Sequence, residues 1–132
     1  KINKSLHQAR GIIPLYISAE KKLGLSKIFP LILKTYEFWN KRISTGELNR
    51  WLESTLDKHP LPSVSGRKIK IRYITQSKSR PPTFVIFSTK VEKIPKSYLN
   101  YLVNELRKNF DFPGVPMRVL VRKPKNPYIQ NR

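Results

Sequence analysis

The chain sets 27 lysines and arginines against 8 acidic residues over 132 positions, a formal charge of +19. That length fits one ordinary domain, or a small domain with a piece of another, and excludes a barrel enzyme or a complete dinucleotide-binding fold. Cysteine is absent, which excludes disulfides and thiolate zinc sites and suits a reducing compartment; no apolar run reaches the ~20 residues of a membrane span or reads as a signal peptide. In chain order, residues 1–11 give no periodic signal. IIPLYI at 12–17 reads as a short buried strand of the parallel kind, with Pro14 arguing for an edge or an irregularity. Residues 18–24 read as a polar loop.

From Ser26 the pattern turns helical. Leu25, Ile28, Phe29, Ile32, Tyr36 and Trp39 recur at helical spacing, with Ser26 as N-cap and an end near Arg42. A second helix opens at Ser44, which has capping-box spacing to Glu47. Leu48, Trp51, Leu52, Thr55 and Leu56 form its apolar stripe, and His59-Pro60 stops it. A loop rich in proline and serine follows to Gly66.

RKIKIRYITQ at 67–76 alternates. Ile69, Ile71 and Tyr73 are expected to face a core, and Lys68, Lys70 and Arg72 to face solvent. Residues 77–81 read as a turn. TFVIFST at 83–89 is apolar on both faces and is expected to be a central strand, paired antiparallel with the first. Ile94-Pro95 opens a third helix with Leu99, Leu102, Val103, Leu106 and Phe110 inward. VPMRVLVR at 115–122 is the last strand, with Met117, Val119 and Val121 on one side and Arg118, Leu120 and Arg122 on the other. Residues 123–132 read as a basic, mobile tail.

The order from Ser44 to Arg122 is α-β-β-α-β. Striped helices must bury their stripes against a sheet, so the expected fold is α+β, a three-stranded sheet with helices on one face. The other face would then carry Lys68, Lys70, Arg72, Arg118 and Arg122.

Charge points to a partner. Residues 67–132 hold 16 basic and 3 acidic residues, against 11 and 5 in residues 1–66. A polyanion relieves that self-repulsion, because each neutralised phosphate releases counterions. An anionic membrane fits less well, since the cations alternate along strands and scatter in loops rather than forming an amphipathic helix. Cations beside Tyr73 and Phe87 would supply charge for phosphates and rings for bases; the plainer alternative is a solvated sheet face with its aromatics in the core.

Catalytic patterns are missing. His7 and His59 are the only histidines, and His59 is expected to bond the last carbonyls of its helix. Glu53 and Asp57 are spaced i,i+4 and read as a solvated face. Neither a GxxxxGK(S/T) phosphate loop nor a GxGxxG is present. These residues are therefore expected not to form an enzyme by themselves.

Long segments nevertheless match a known family. ISA at 17–19, YEFWNKRISTGELNRWL at 36–52, HPLPSVSGRKIKIRYITQSKSRPPTFVIF at 59–87, SYLNYLVNELRKNFDFPGVPMRVLVR at 97–122 and KNPY at 125–128 resemble the C-terminal part of the Der (EngA) family of bacterial tandem GTPases. The resemblance implies a KH-like domain over 44–122. It makes 1–42 the end of the second GTPase domain, with Ser18 and Ala19 as an orphaned nucleotide-base loop, and 123–132 a tail. It implies a cytoplasmic role in assembling the large ribosomal subunit. Ribosomal RNA and the GTPase domains of the same chain would be the partners. GTP and magnesium belong to the whole protein, with no cofactor in this stretch. The expected RNA contacts are Arg67, Lys68, Lys70, Arg72, Lys78, Arg80, Arg118 and Arg122. In the alternative, the basic face docks on the GTPase domains and RNA contact is secondary; a nuclease is a remote third reading. The glycine-x-x-glycine loop of ordinary KH domains is absent between Phe87 and Leu99, where Lys90, Lys93 and Lys96 could stand in as phosphate contacts. Residues 1–24, away from the rest of a GTPase domain, are expected to be mobile, paired with another chain, or refolded.

Overall fold

The apolar stripes of two helices meet one face of a short sheet, and that meeting is the core. The computed structural model describes residue 12, residues 14–112 and residues 114–125. Helices α1 (Ile28–Asn40), α2 (Thr45–Lys58) and α3 (Lys96–Asn109) accompany strands β1 (Ile71–Ser79), β2 (Pro82–Ser88) and β3 (Arg118–Arg122). The sheet runs β1-β2-β3. β1 and β2 form an antiparallel hairpin, while β3 returns parallel to β2 after the crossover through α3. The α+β class and the central position of the 83–89 run are both observed. Residues 1–11, His7 among them, and the tail from 126 lie outside the described residues.

α2 forms where the capping box places it. The Glu47 amide donates to Ser44 Oγ at 3.3 Å, and the Ser44 amide donates to the Glu47 carboxylate at 3.3 Å. Such a cap contributes about 1 kcal/mol to a helix that would otherwise fray. Its stripe buries Leu48 and Leu52 in one cluster with Ile71, Ile74, Phe84, Ile86, Leu102, Leu106 and Phe112. α3 starts after Pro95, and Leu102 and Leu106 are its buried residues. Arg107 then holds the turn into β3, donating to the carbonyls of Phe112 at 2.8 Å and Val115 at 2.6 Å.

α1 differs from the other helices: none of its residues is buried. Phe29 is 75% exposed and Leu33 62%, with Ile32, Tyr36 and Trp39 also open. The helix is nonetheless tied to the domain. Gln76, buried beneath the connection, accepts from the Ile43 amide at 2.7 Å and donates to the Lys41 carbonyl at 2.9 Å. Lys41 Nζ donates to the Phe110 carbonyl at 2.6 Å and lies 5.5 Å from the centre of the Phe112 ring.

Three expectations need correction. The strand read over 12–17 does not form: residue 12 and residues 14–17 carry no strand, and Tyr16 and Ile17 are exposed. A lone strand has no neighbour here to take its backbone bonds, so only a small bridge between Ser18 and Leu23 remains. The first helix opens with a 3-10 turn at Leu25–Lys27 rather than an N-cap at Ser26. Finally, β1 begins at Ile71 and runs on to Ser79, so the hairpin turn is confined to Arg80-Pro81, whose peptide bond is cis.

Candidate nucleic-acid interface

Strand register decides which side chains share a face. Two register shifts interrupt β1, between Ile71 and Tyr73 and between Gln76 and Lys78. Each is a bulge, which places one extra residue on β1 and reverses the facing of the residues beyond it. Ile71, Ile74 and Gln76 consequently point to the core, three and then two residues apart. Tyr73, expected inward with Ile71, turns out to solvent and is 40% exposed.

The open face is built in three rungs. Tyr73, Phe87 and Arg122 lie side by side across the three strands; so do Thr75, Val85 and Leu120; so do Lys78, Thr83 and Arg118. Tyr73 and Phe87 stack, with centroids 4.4 Å apart and planes 19° from parallel. Arg118 and Arg122 are exposed, as expected, while Val119 and Val121 alternate inward. Val85 is buried yet stands apart from the helix-side core, because it is the floor of this second face. Leu120 remains 41% exposed beside it.

The other expected cations fall into two groups. Lys78 and Arg80 occupy the hairpin end, and Arg80 Nη1 donates to the Tyr36 hydroxyl of α1 at 3.2 Å. Arg67, Lys68, Lys70 and Arg72 mark the opposite end of β1. Of these only Arg72 is on a strand; Arg67 closes a tight turn with Val64, and Lys68 and Lys70 lie in the extended lead-in. All eight cations are exposed, and the one ion pair among the described residues is elsewhere, Lys123 with Glu92 at 3.9 Å. Lys90 precedes and Lys93 ends a 3-10 turn at Val91–Lys93, and Lys96 opens α3.

Ser18 and Ala19 sit in the turn closed by the Ser18–Leu23 bridge, where Ser18 Oγ accepts from the Lys21 amide at 3.3 Å. His59 reaches the last carbonyls of α2 through its backbone, whose amide donates to the Thr55 carbonyl at 3.0 Å, and not through its imidazole. Its ring meets Tyr101 edge-on at 5.0 Å, and its own carbonyl accepts from the Tyr98 hydroxyl. Burial, with Tyr101 adding to it, holds the Tyr98 phenol above its ordinary pKa of 10.0. Among the described residues, no cluster of three histidine or acidic side chains could hold a metal, and no helix is long and apolar enough to cross a membrane.

The stacked pair was half visible in the sequence. Both rings were natural candidates to stack on bases, but strict alternation placed Tyr73 on the wrong side. A usable signal existed: Ile71 and Ile74 are both strongly apolar yet three apart, which no unbroken strand can place on one face.

Comparisons with known proteins agree with this architecture. A family model described as the KH-domain-like C-terminal domain of EngA bacterial GTPase enzymes matches residues 42–122. Over 128 residues, 97% of this chain, the sequence is 48% identical to GTPase Der of Mesorhizobium japonicum and 50% identical to GTPase Der of Rhizobium johnstonii, covering 27% of each. Identity to GTPase Der of Brucella suis is 47%, covering 26% of that protein. The chain thus spans about a quarter of the length of these curated relatives.

Proposed function

This chain belongs to the KH-domain-like C-terminal family of the EngA bacterial GTPases, and from that membership we propose that it is an RNA-binding and docking domain serving assembly of the large ribosomal subunit. Ribosomal RNA is its main partner, in the cytoplasm. GTP and magnesium are handled by the GTPase domains of the same protein, and the KH-like domain contributes contact rather than catalysis. Within this reading residues 1–42 are the end of the second GTPase domain, and that domain covers the open stripe of α1, which otherwise leaves Phe29 and Leu33 in water.

The observation that carries the proposal is the open sheet face. A parallel ring pair, Tyr73 on Phe87, is flanked in register by Arg122, with Arg118 two rungs away. Rings stack on bases of any sequence, and guanidinium groups donate to phosphates in forked geometry. Binding is therefore expected to be strongly salt-dependent and weakly sequence-selective. A salt titration of affinity for single-stranded ribosomal RNA tests it. Arg118→Ala with Arg122→Ala removes two phosphate contacts, so the plot of log affinity against log salt becomes shallower by about 1.4. Tyr73→Ala costs about 1–3 kcal/mol of binding by removing one stacking surface. Unchanged slope and affinity in these variants overturn the open face as the site.

A second reading rests on the middle rung. Thr75, Val85 and Leu120 put an apolar band between the two charged rungs, which suits a protein surface. In it the face docks on the GTPase domains and regulates their cycle. Mixing the chain with those separated domains discriminates: tight protein binding with negligible RNA binding favours this second reading.

A further inference from the structure

A cleft of about 610 Å3 opens on the other side of the β1 edge, between the end of α2, the loop after it and the lead-in to β1. Its size is that of a small-ligand site. Leu56, Leu61 and Ile71 supply apolar walls; Lys68, Lys70 and Arg72 supply three cations, all exposed. Ion pairing uses up none of those cations among the described residues.

The walls are held in place. The Tyr98 hydroxyl donates to the His59 carbonyl and ties the end of α2 to α3. Val64 and Arg67 exchange backbone bonds at 3.3 and 3.2 Å around Ser65 and Gly66, both at positive φ, a compact turn that shapes the loop. The Lys70 carbonyl accepts from Ser88 Oγ at 3.0 Å and from the Thr89 amide at 3.3 Å, so the backbone carrying the central cation is fixed.

We infer that this cleft receives one nucleotide of the same single-stranded RNA whose neighbouring bases stack on Tyr73 and Phe87. The base lies against Leu56, Leu61 and Ile71, and its flanking phosphates meet Lys68, Lys70 and Arg72. The inference rests on the RNA-binding reading above. Continuity supports it: Tyr73 and Arg72 are consecutive, Arg72 lines the cleft, and β1 is an edge strand. A strand leaving the ring platform therefore has only to round that edge. An apolar slot rimmed by cations and free of acidic lining residues matches a base with its phosphates better than a fully charged ligand, which would leave the walls unused.

Methyl NMR of the chain with an oligouridine of about ten nucleotides tests it. Leu56, Leu61 and Ile71 methyl signals should move together with the Tyr73 ring signals and saturate at the same RNA concentration. Ser63 is exposed on the cleft lining. Ser63→Glu should weaken binding about fivefold by opposing a phosphate. Lys68→Ala with Lys70→Ala should make the salt slope shallower by about 1.4. If the Tyr73 signals shift while the cleft methyls stay still, the cleft inference falls and the open-face reading stands. If an oligoglutamate peptide shifts the cleft methyls and RNA does not, an acidic protein segment is the occupant and the inference falls. If the RNA moves nothing, both readings fall. The methyl measurement uses the unsubstituted chain, so it holds even where a variant misfolds.

Discussion

Asn49 does for β1 what a neighbouring strand would do. Its side-chain amide donates to the Ile74 carbonyl at 3.1 Å and accepts from the Ile74 amide at 3.0 Å. An edge strand turned toward a helix otherwise leaves those groups dry and unpaired. Asn49→Leu keeps the volume and removes both bonds, and is expected to lower stability by about 1–3 kcal/mol, read as an earlier urea midpoint. Gln76 acts similarly toward residues 41 and 43. Neither role was legible in the sequence, where Asn49 is one polar residue on a helix and Gln76 ends an alternating run. Tyr73 was misplaced for a related reason. A bulge costs one residue of register, and its one mark here, the three-residue spacing of Ile71 and Ile74, is masked by the clean alternation of Ile69, Ile71 and Tyr73, so positions beyond it are assigned to the wrong face. The cations are legible as residue types, but their division between the open face, the hairpin end and the lead-in to β1 depends on that same register.

Elements were more legible than residues. α2 follows from its capping box and stripe, α3 from Pro95 and its stripe, and β2 from a run too apolar for any place but the centre of the sheet. The strand expected over 12–17 failed because strand pairing is not local: the run has strand composition but no neighbour. α1 forms by local pattern yet keeps its stripe in water. The contact between α2 and α3 carries a pH dependence. Tyr98 holds its proton more tightly in the folded chain than its ordinary pKa of 10.0 allows. Its contribution is complete below that value and is lost as pH climbs through the raised one. Between about pH 8 and about pH 10.5 the unsubstituted chain should therefore lose more stability in urea than Tyr98→Phe does. Equal losses would show that the part-buried Tyr98 phenol carries none of the linkage.

At the scale of the whole molecule, two surfaces compete for attention: the uncovered stripe of α1, and the charged faces on both sides of the β1 edge. The first is apolar and suits a protein domain; the second joins cations to rings and suits a nucleic acid. On the proposed reading, their separation would let one domain be anchored to a GTPase and still present a grip for RNA. Net charge alone points to a polyanion, but it could not say that the rings would lie in register with Arg122, two rungs from Arg118. The most direct measurement is ultraviolet crosslinking of the chain to single-stranded ribosomal RNA, with the modified residues mapped by mass spectrometry. Adducts on Tyr73 or Phe87 are the predicted result; adducts confined to α1 and the helix side of the sheet would contradict it.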